Sequence, residues 1–141
     1  MQAAGEAMIS LVYVSTSSGA LAAEELAALQ AQASRTNARC GVTGMLVYDG
    51  ARFMQLLEGA ERVVNATMGR IQQDSRHQGL SILRRDEITE RECPDWSMRV
   101  IALPLTAAGS ATEFAGSLPG EMAPETRMLF TSFASSAGKE R

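Results

Sequence analysis

Asp49-Gly50 stands between two apolar runs at residues 42–48 and 53–57, and no short-range signal for a β-hairpin is stronger. It predicts a tight turn whose two central residues both take positive φ. Strand alternation then puts Phe53, Gln55 and Leu57 on one face of the second arm and Met54, Leu56 and Glu58 on the other. Gln55 is therefore an amide between two large apolar neighbours on a predicted core face. An amide buried without partners costs about 1–3 kcal/mol. Gln55 must have a partner, supplied by the protein or by a ligand.

The rest of the chain is read around that hairpin. Residues 1–7 form a disordered lead-in. Residues 8–15 are a strand with Ile9, Leu11, Tyr13 and Ser15 on one face; Met8, Val12 and Val14 make the other face apolar too, as in a central strand. After a loop at 16–19, a helix over residues 22–35 carries Ala22, Leu26, Leu29 and Ala33 as a stripe, and residues 36–41 lead into the hairpin. After Gly59 a second helix runs to about residue 74, with Glu61 in its first turn and Val64, Met68 and Ile71 on its buried side. Further strands are expected at residues 80–89 and 96–102. The order βαββαββ predicts an α+β, ferredoxin-like sheet with two helices on one face.

Composition shifts at Pro104 towards Ala, Ser, Gly and Thr, which divides the chain into a domain over residues 1–103 and an extension over 104–141. Two short helices are predicted in the extension, at 111–118 and 124–135. Pro124 suits a first helical position, and Met128, Leu129 and Phe133 are the apolar set of the second helix. Helices of this length do not persist alone. They must pack on the open face of the sheet or on another subunit.

A net charge of −3 and a pI near 5.2 argue against nucleic acid as partner. His77 is the only histidine, and Cys40 and Cys93 lie far apart, which leaves little for a metal site or a His-assisted nucleophile. There is no Gly-rich phosphate loop. With no leader and no long apolar segment, the expectation is a cytoplasmic protein in a reducing compartment, away from membranes.

Three polar side chains remain: Tyr13 on the first strand, Asn37 after the first helix and Gln55 on the third strand. Each has an ordinary use, as core packing, helix cap or solvated strand residue. Together, two amides and a phenol in an apolar setting suit the edge of a flat heteroaromatic ligand. Five motifs in order carry a resemblance: Leu11-Val12-Tyr13-Val14-Ser15; Asn37-Ala38-Arg39 with Gly41-Val42-Thr43-Gly44-Met45-Leu46; Phe53-Met54-Gln55-Leu56-Leu57-Glu58-Gly59; Asp74-Ser75-Arg76-His77; and Pro94-Asp95-Trp96-Ser97-Met98. From about Met8 to Ala102 the sequence resembles the BLUF domains, blue-light sensors that use FAD.

The resemblance implies a flavin ring inserted between the two helices. By it, Tyr13 is the electron and proton donor, Gln55 is the switch, and Asn37 bonds the pyrimidine-like edge of the ring. Arg76 and His77 match positions lining the flavin, and Arg39 approaches its phosphates. Trp96 and Met98 match a fifth-strand pair that exchanges places to carry the signal outward. Thr36 departs from the Asn or His that many relatives carry, and Cys93 from a common aromatic residue. The FAD is expected to be non-covalent, since neither cysteine falls where attachment is expected. Residues 104–141 are too few for a cyclase or phosphodiesterase, so the expectation is a sensor without catalytic output, signalling through a homo-oligomer or a separate protein partner. Two other readings stand beside it. One is a flavin-free protein-interaction module on the same fold. The other is a small acylphosphatase-like enzyme, for which no anion-binding loop is found.

Overall fold

The computed structural model describes residues 7–103 and 110–136. Its elements are β1 (Met8–Ser17), α1 (Ala23–Cys40), β2 (Thr43–Tyr48), β3 (Arg52–Ala60), α2 (Glu61–Gln72), β4 (His77–Ile88), β5 (Arg99–Ala102), α3 (Ser110–Ser117) and α4 (Pro124–Ser136). The sheet order is β4-β1-β3-β2-β5, with β5 parallel to β2 and the other pairs antiparallel. This is the expected α+β, ferredoxin-like arrangement. Of the lead-in expected at residues 1–7 only Ala7 is described, and its carbonyl accepts the Glu61 amide at 2.9 Å. Pro104, where composition shifts, also lies outside the described residues.

The hairpin forms, but its turn is not the one its dipeptide predicts. Gly50 alone takes positive φ, at 93°, and no described non-glycine residue does. The Asp49 carboxylate instead reaches forward, accepting the Ala51 and Arg52 amides at 2.9 and 2.6 Å and both guanidinium nitrogens it faces at 3.0 and 2.8 Å. That local wrap fixes the turn without a left-handed aspartate. At the far end of the hairpin, a Cβ on Gly44 would sit 1.9 Å from the Leu56 carbonyl oxygen, so only glycine lets β2 and β3 close there.

Two boundaries move for physical reasons. Helix α1 continues to Cys40 because nothing in residues 36–40 breaks it; Gly41 does, in the left-handed conformation at φ 76°. Asn37 therefore lies inside the last turn of the helix and not after it. Strand β5 begins at Arg99, so Trp96 and Met98 precede it and do not share a strand face. The Trp96 amide turns back to the Cys93 carbonyl at 3.1 Å, which keeps this segment off the ladder. Trp96 packs with the core on one side of the sheet and Met98 with the core on the other.

Those two cores explain why β1, β2 and β3 are apolar on both faces. One holds Ile9, Leu11, Leu57, Val64 and Met68 beneath α1 and α2. The other holds Val12, Val47 and Leu56 beneath α3 and α4, which contribute Phe114, Phe130 and Phe133, with Leu118 just after α3. The extension thus covers the open face of the sheet. Its second helix is rotated from expectation: Thr126, Phe130 and Phe133 point inward, and Met128 is 67% exposed. A run of three apolar residues, Met128-Leu129-Phe130, left the phase of that helix open to reading.

Phe130 is fully buried. Phe130→Ala should lower stability by about 3–5 kcal/mol, measured by urea unfolding. A loss of less than about 1 kcal/mol would show that α4 is not part of the core.

Candidate functional site

A cavity of about 260 Å³ lies between α1, α2 and the sheet. Its walls are largely apolar, from Leu29, Leu46, Phe53, Leu57 and Ile71, and its polar groups are few and convergent. Tyr13 and Gln55 sit directly opposite each other in the β1–β3 register. The Tyr13 hydroxyl donates to Gln55 Oε1 at 2.5 Å, and Gln55 Nε2 points to Met98 Sδ at 3.4 Å. The partner that the sequence demanded for Gln55 is thus inside the protein: a good donor at its oxygen and a weak thioether acceptor at its nitrogen. Burial pushes the Tyr13 phenol well above its ordinary pKa, and the nearby negative charge of Asp74 adds to the shift.

Asn37 is buried, and its Nδ2 donates to the Ser97 carbonyl at 3.0 Å. Its Oδ1 has no hydrogen-bond partner among the described residues, and Asn37 lines the cavity. His77 bonds Ser15 Oγ through Nδ1 at 2.8 Å and the Ile71 carbonyl through Nε2 at 2.6 Å. A carbonyl only accepts, so Nε2 carries a proton and donates it to the Ile71 carbonyl. His77 therefore does close the end of α2, as an ordinary reading allows. It also stands 6.1 Å from the Tyr13 ring and edge-on to Phe53 at 5.9 Å.

Arg76 lines the cavity with its guanidinium forked on Asp74, at 2.9 and 2.5 Å. That fork holds the Asp74 carboxyl below its usual range. Arg39 is exposed on the last turn of α1 and does not line the cavity, whereas Arg70 of α2 does. Trp96 stands away from it with the Arg99 guanidinium 5.0 Å over its ring. Of the residues the sequence reading assigned to the cofactor, Tyr13, Asn37, Gln55, Arg76 and His77 meet at the cavity and Arg39 does not; Met98, read with Trp96 as a relay, joins them without it, and no role had been given to Asp74 or Ser15. The signal for Ser15 was present, since it shares the strand face of Tyr13.

These residues fit a flat, conjugated ligand. The walls are apolar, an unpaired amide oxygen offers an acceptor, and Arg70 and Arg76 supply positive charge for an anionic tail. The volume is slightly below the roughly 300–1,000 Å³ of most small-molecule sites, which suits the ring portion of a larger group.

The family of sensors of blue light using FAD, BLUF, matches residues 8–99. The chain belongs to the BLUF family. It is a blue-light sensor domain of a class that binds FAD. The beta subunit of the photoactivated adenylate cyclase of Euglena longa is 30% identical over 92 residues, 64% of this chain and 11% of that protein. The BLUF structure of BlrP1 superposes with a TM-score of 0.78 at 30% identity, covering 94% of this chain and 93% of that one. BlrB, a BLUF protein in its dark state, gives 0.63 at 31% identity, covering 96% and 89%. The chain spans about a tenth of the cyclase subunit. What the match covers, residues 8–99, is the sensor domain of this family.

Below about pH 10 Tyr13 is neutral in folded and unfolded chains alike. Above it only the unfolded chain ionises, so Tyr13 subtracts stability as the pH climbs. In 13C-tyrosine NMR the Tyr13 Cζ signal, assigned with Tyr13→Phe, should keep its neutral position at about pH 10.5, where a free phenol is mostly ionised. A phenolate shift with a midpoint near 10 would contradict the burial.

Proposed function

We propose that this BLUF domain senses blue light through a hydrogen-bond reversal at Gln55, and that Asn37, Arg70, Arg76 and His77 hold the FAD. The observation that carries the reading is the buried Tyr13–Gln55–Met98 chain at the wall of a cavity that Asn37 also lines. Bound flavin supplies the absorption of blue light and a transient acceptor for one electron. Tyr13, kept neutral by burial, gives up an electron only together with its phenolic proton, and Gln55 Oε1 lies in line to take that proton. A proton received at Oε1, with one from Nε2 passed to the flavin that would hold the electron, would give the imidic tautomer once an electron and a proton return to Tyr13; a half-turn of the amide exchanges its two ends. Either change converts a donor towards Met98 into an acceptor without any charge being buried.

The output then passes to a second copy of the chain or to a separate protein. Met128 on α4 and Ile82 and Leu83 on β4 are exposed apolar side chains available to such a contact. A cytoplasmic setting is supported by the two free cysteines. Among the described residues, no helix is long and apolar enough to cross a membrane.

Gln55→Leu and Tyr13→Phe should each bind FAD with affinity changed by no more than about tenfold, the worth of one hydrogen bond. Both should lose the small red shift that blue light produces in the wild-type flavin spectrum. Absorption spectra before and after illumination decide it. A normal red shift in both variants would sink the mechanism, and a colourless wild-type protein that takes up no FAD would favour the flavin-free interaction module.

A further inference from the structure

Helix α1 carries Gln30, Ser34 and Asn37 at spacings of four and three, so they form one stripe on its surface. All three are bonded to the backbone of one short segment. Val100 N–H donates to Gln30 Oε1 at 2.7 Å, Ser34 Oγ donates to the Met98 carbonyl at 3.0 Å, and Asn37 Nδ2 donates to the Ser97 carbonyl at 3.0 Å. Strand β5 lies at the edge of the sheet with β2 as its neighbour, and its register with β2 begins only at Arg99. Residues 97 and 98 thus stand outside the ladder. Behind them the Gly44 amide holds the Trp96 carbonyl at 2.9 Å.

Met98 is nonetheless buried and stands against Gln55 Nε2. A thioether is too weak an acceptor to fix an unpaired stretch of backbone by itself. The fixing groups are the polar side chains of α1. We propose that Gln30 and Ser34 are positioning residues of the switch: with Asn37 they clamp the backbone at residues 97–100 and so set the sulfur of Met98 against Gln55. Gln30 lies on the exposed side of α1 and outside the cavity wall, so it acts on the site only through this backbone. The functional consequence rests on the reading of Gln55 as the switch; the clamp itself does not.

The test uses the full chain with FAD, in the dark, labelled with 13C at the methionine methyls, the Met98 signal being assigned with Met98→Leu. Gln30→Ala and Ser34→Ala should each shift or broaden the Met98 methyl. Ser34→Ala should also speed hydrogen exchange at the Val100 amide by about three- to tenfold, although it leaves Gln30 in place. Gln30→Glu keeps the acceptor and Ser34→Thr keeps the hydroxyl, so each should restore the wild-type signal. A Met98 methyl unmoved in Gln30→Ala/Ser34→Ala overturns the proposal, as does a wild-type Val100 exchange rate in Ser34→Ala. Dark recovery after a blue flash separates the two readings. A moved methyl with unchanged recovery confirms the clamp and removes Met98 from the switch; a moved methyl with recovery altered at least threefold supports both.

Discussion

The carboxamide of Gln55 needs partners at both ends inside an apolar layer, and much of the site follows from how they are supplied. Its oxygen takes the Tyr13 proton donor from the neighbouring strand, which requires the β1–β3 register to place the two residues opposite each other. Its nitrogen takes a thioether, the weakest acceptor among protein side chains in ordinary use. The amide is thus held firmly on one side and loosely on the other. A charged residue in its place would face a desolvation cost of several kcal/mol, and an apolar one would leave the Tyr13 hydroxyl without a partner.

The opposite face of the same strand meets a different demand. Glu58 is fully buried, and its carboxylate accepts the Thr43 hydroxyl at 2.8 Å and the amides of Glu92 and Cys93 at 2.7 Å each. Three donors on one carboxylate offset much of the cost of its burial. They also pin the connection between β4 and β5 to the end of β3. Arg91 ties the same connection to Thr43 and to the Gly41 carbonyl, both at 2.8 Å. Beyond it, Arg84 bonds Thr126 of α4 and Ser10 of β1 and stands 3.6 Å from Glu92, whose carboxyl is pushed up by burial. The tail helices are therefore joined to this connection by polar contacts as well as by the packing of Phe114 and Phe130.

How legible this was in sequence depended on whether a residue's neighbours lie close in the chain. Alternation around Asp49-Gly50 placed Gln55 on an apolar face, and the same rule put Tyr13 and Ser15 together. Both inferences rest on a period of two that burial on both faces does not erase. The end of α1 was misplaced because Asn37 is a good cap by composition, while the residue that stops the helix is Gly41. Strand β4 was read too short because an edge strand exposed along most of its length shows no apolar rhythm. Trp96 and Met98 alternate like strand residues, yet the bonds that keep them off the ladder come from Cys93, Gly44 and α1, which local pattern does not carry. The cavity itself was inferred from chemistry and not from spacing: no periodicity announces that Asn37 Oδ1 will lack a partner.

The connection between β4 and β5 also changes sides. Cys93 and Trp96 belong to the core beneath α3 and α4, whereas Met98, two residues later, belongs to the core beneath α1 and α2. Between them the Ser97 carbonyl accepts from Asn37, a residue that also lines the cavity. Gln55 and Asn37 thus bond Met98 and Ser97, close in the chain to Cys93 and Trp96 of the core beneath the tail helices. No long path through the sheet is needed for the two faces to feel each other. The exposed Met128 lies on the same helix as the buried Phe130, so a displacement of α4 transmitted through Cys93 or Glu92 would reach the surface within one turn. The two cores are thus joined by a single loop of the chain.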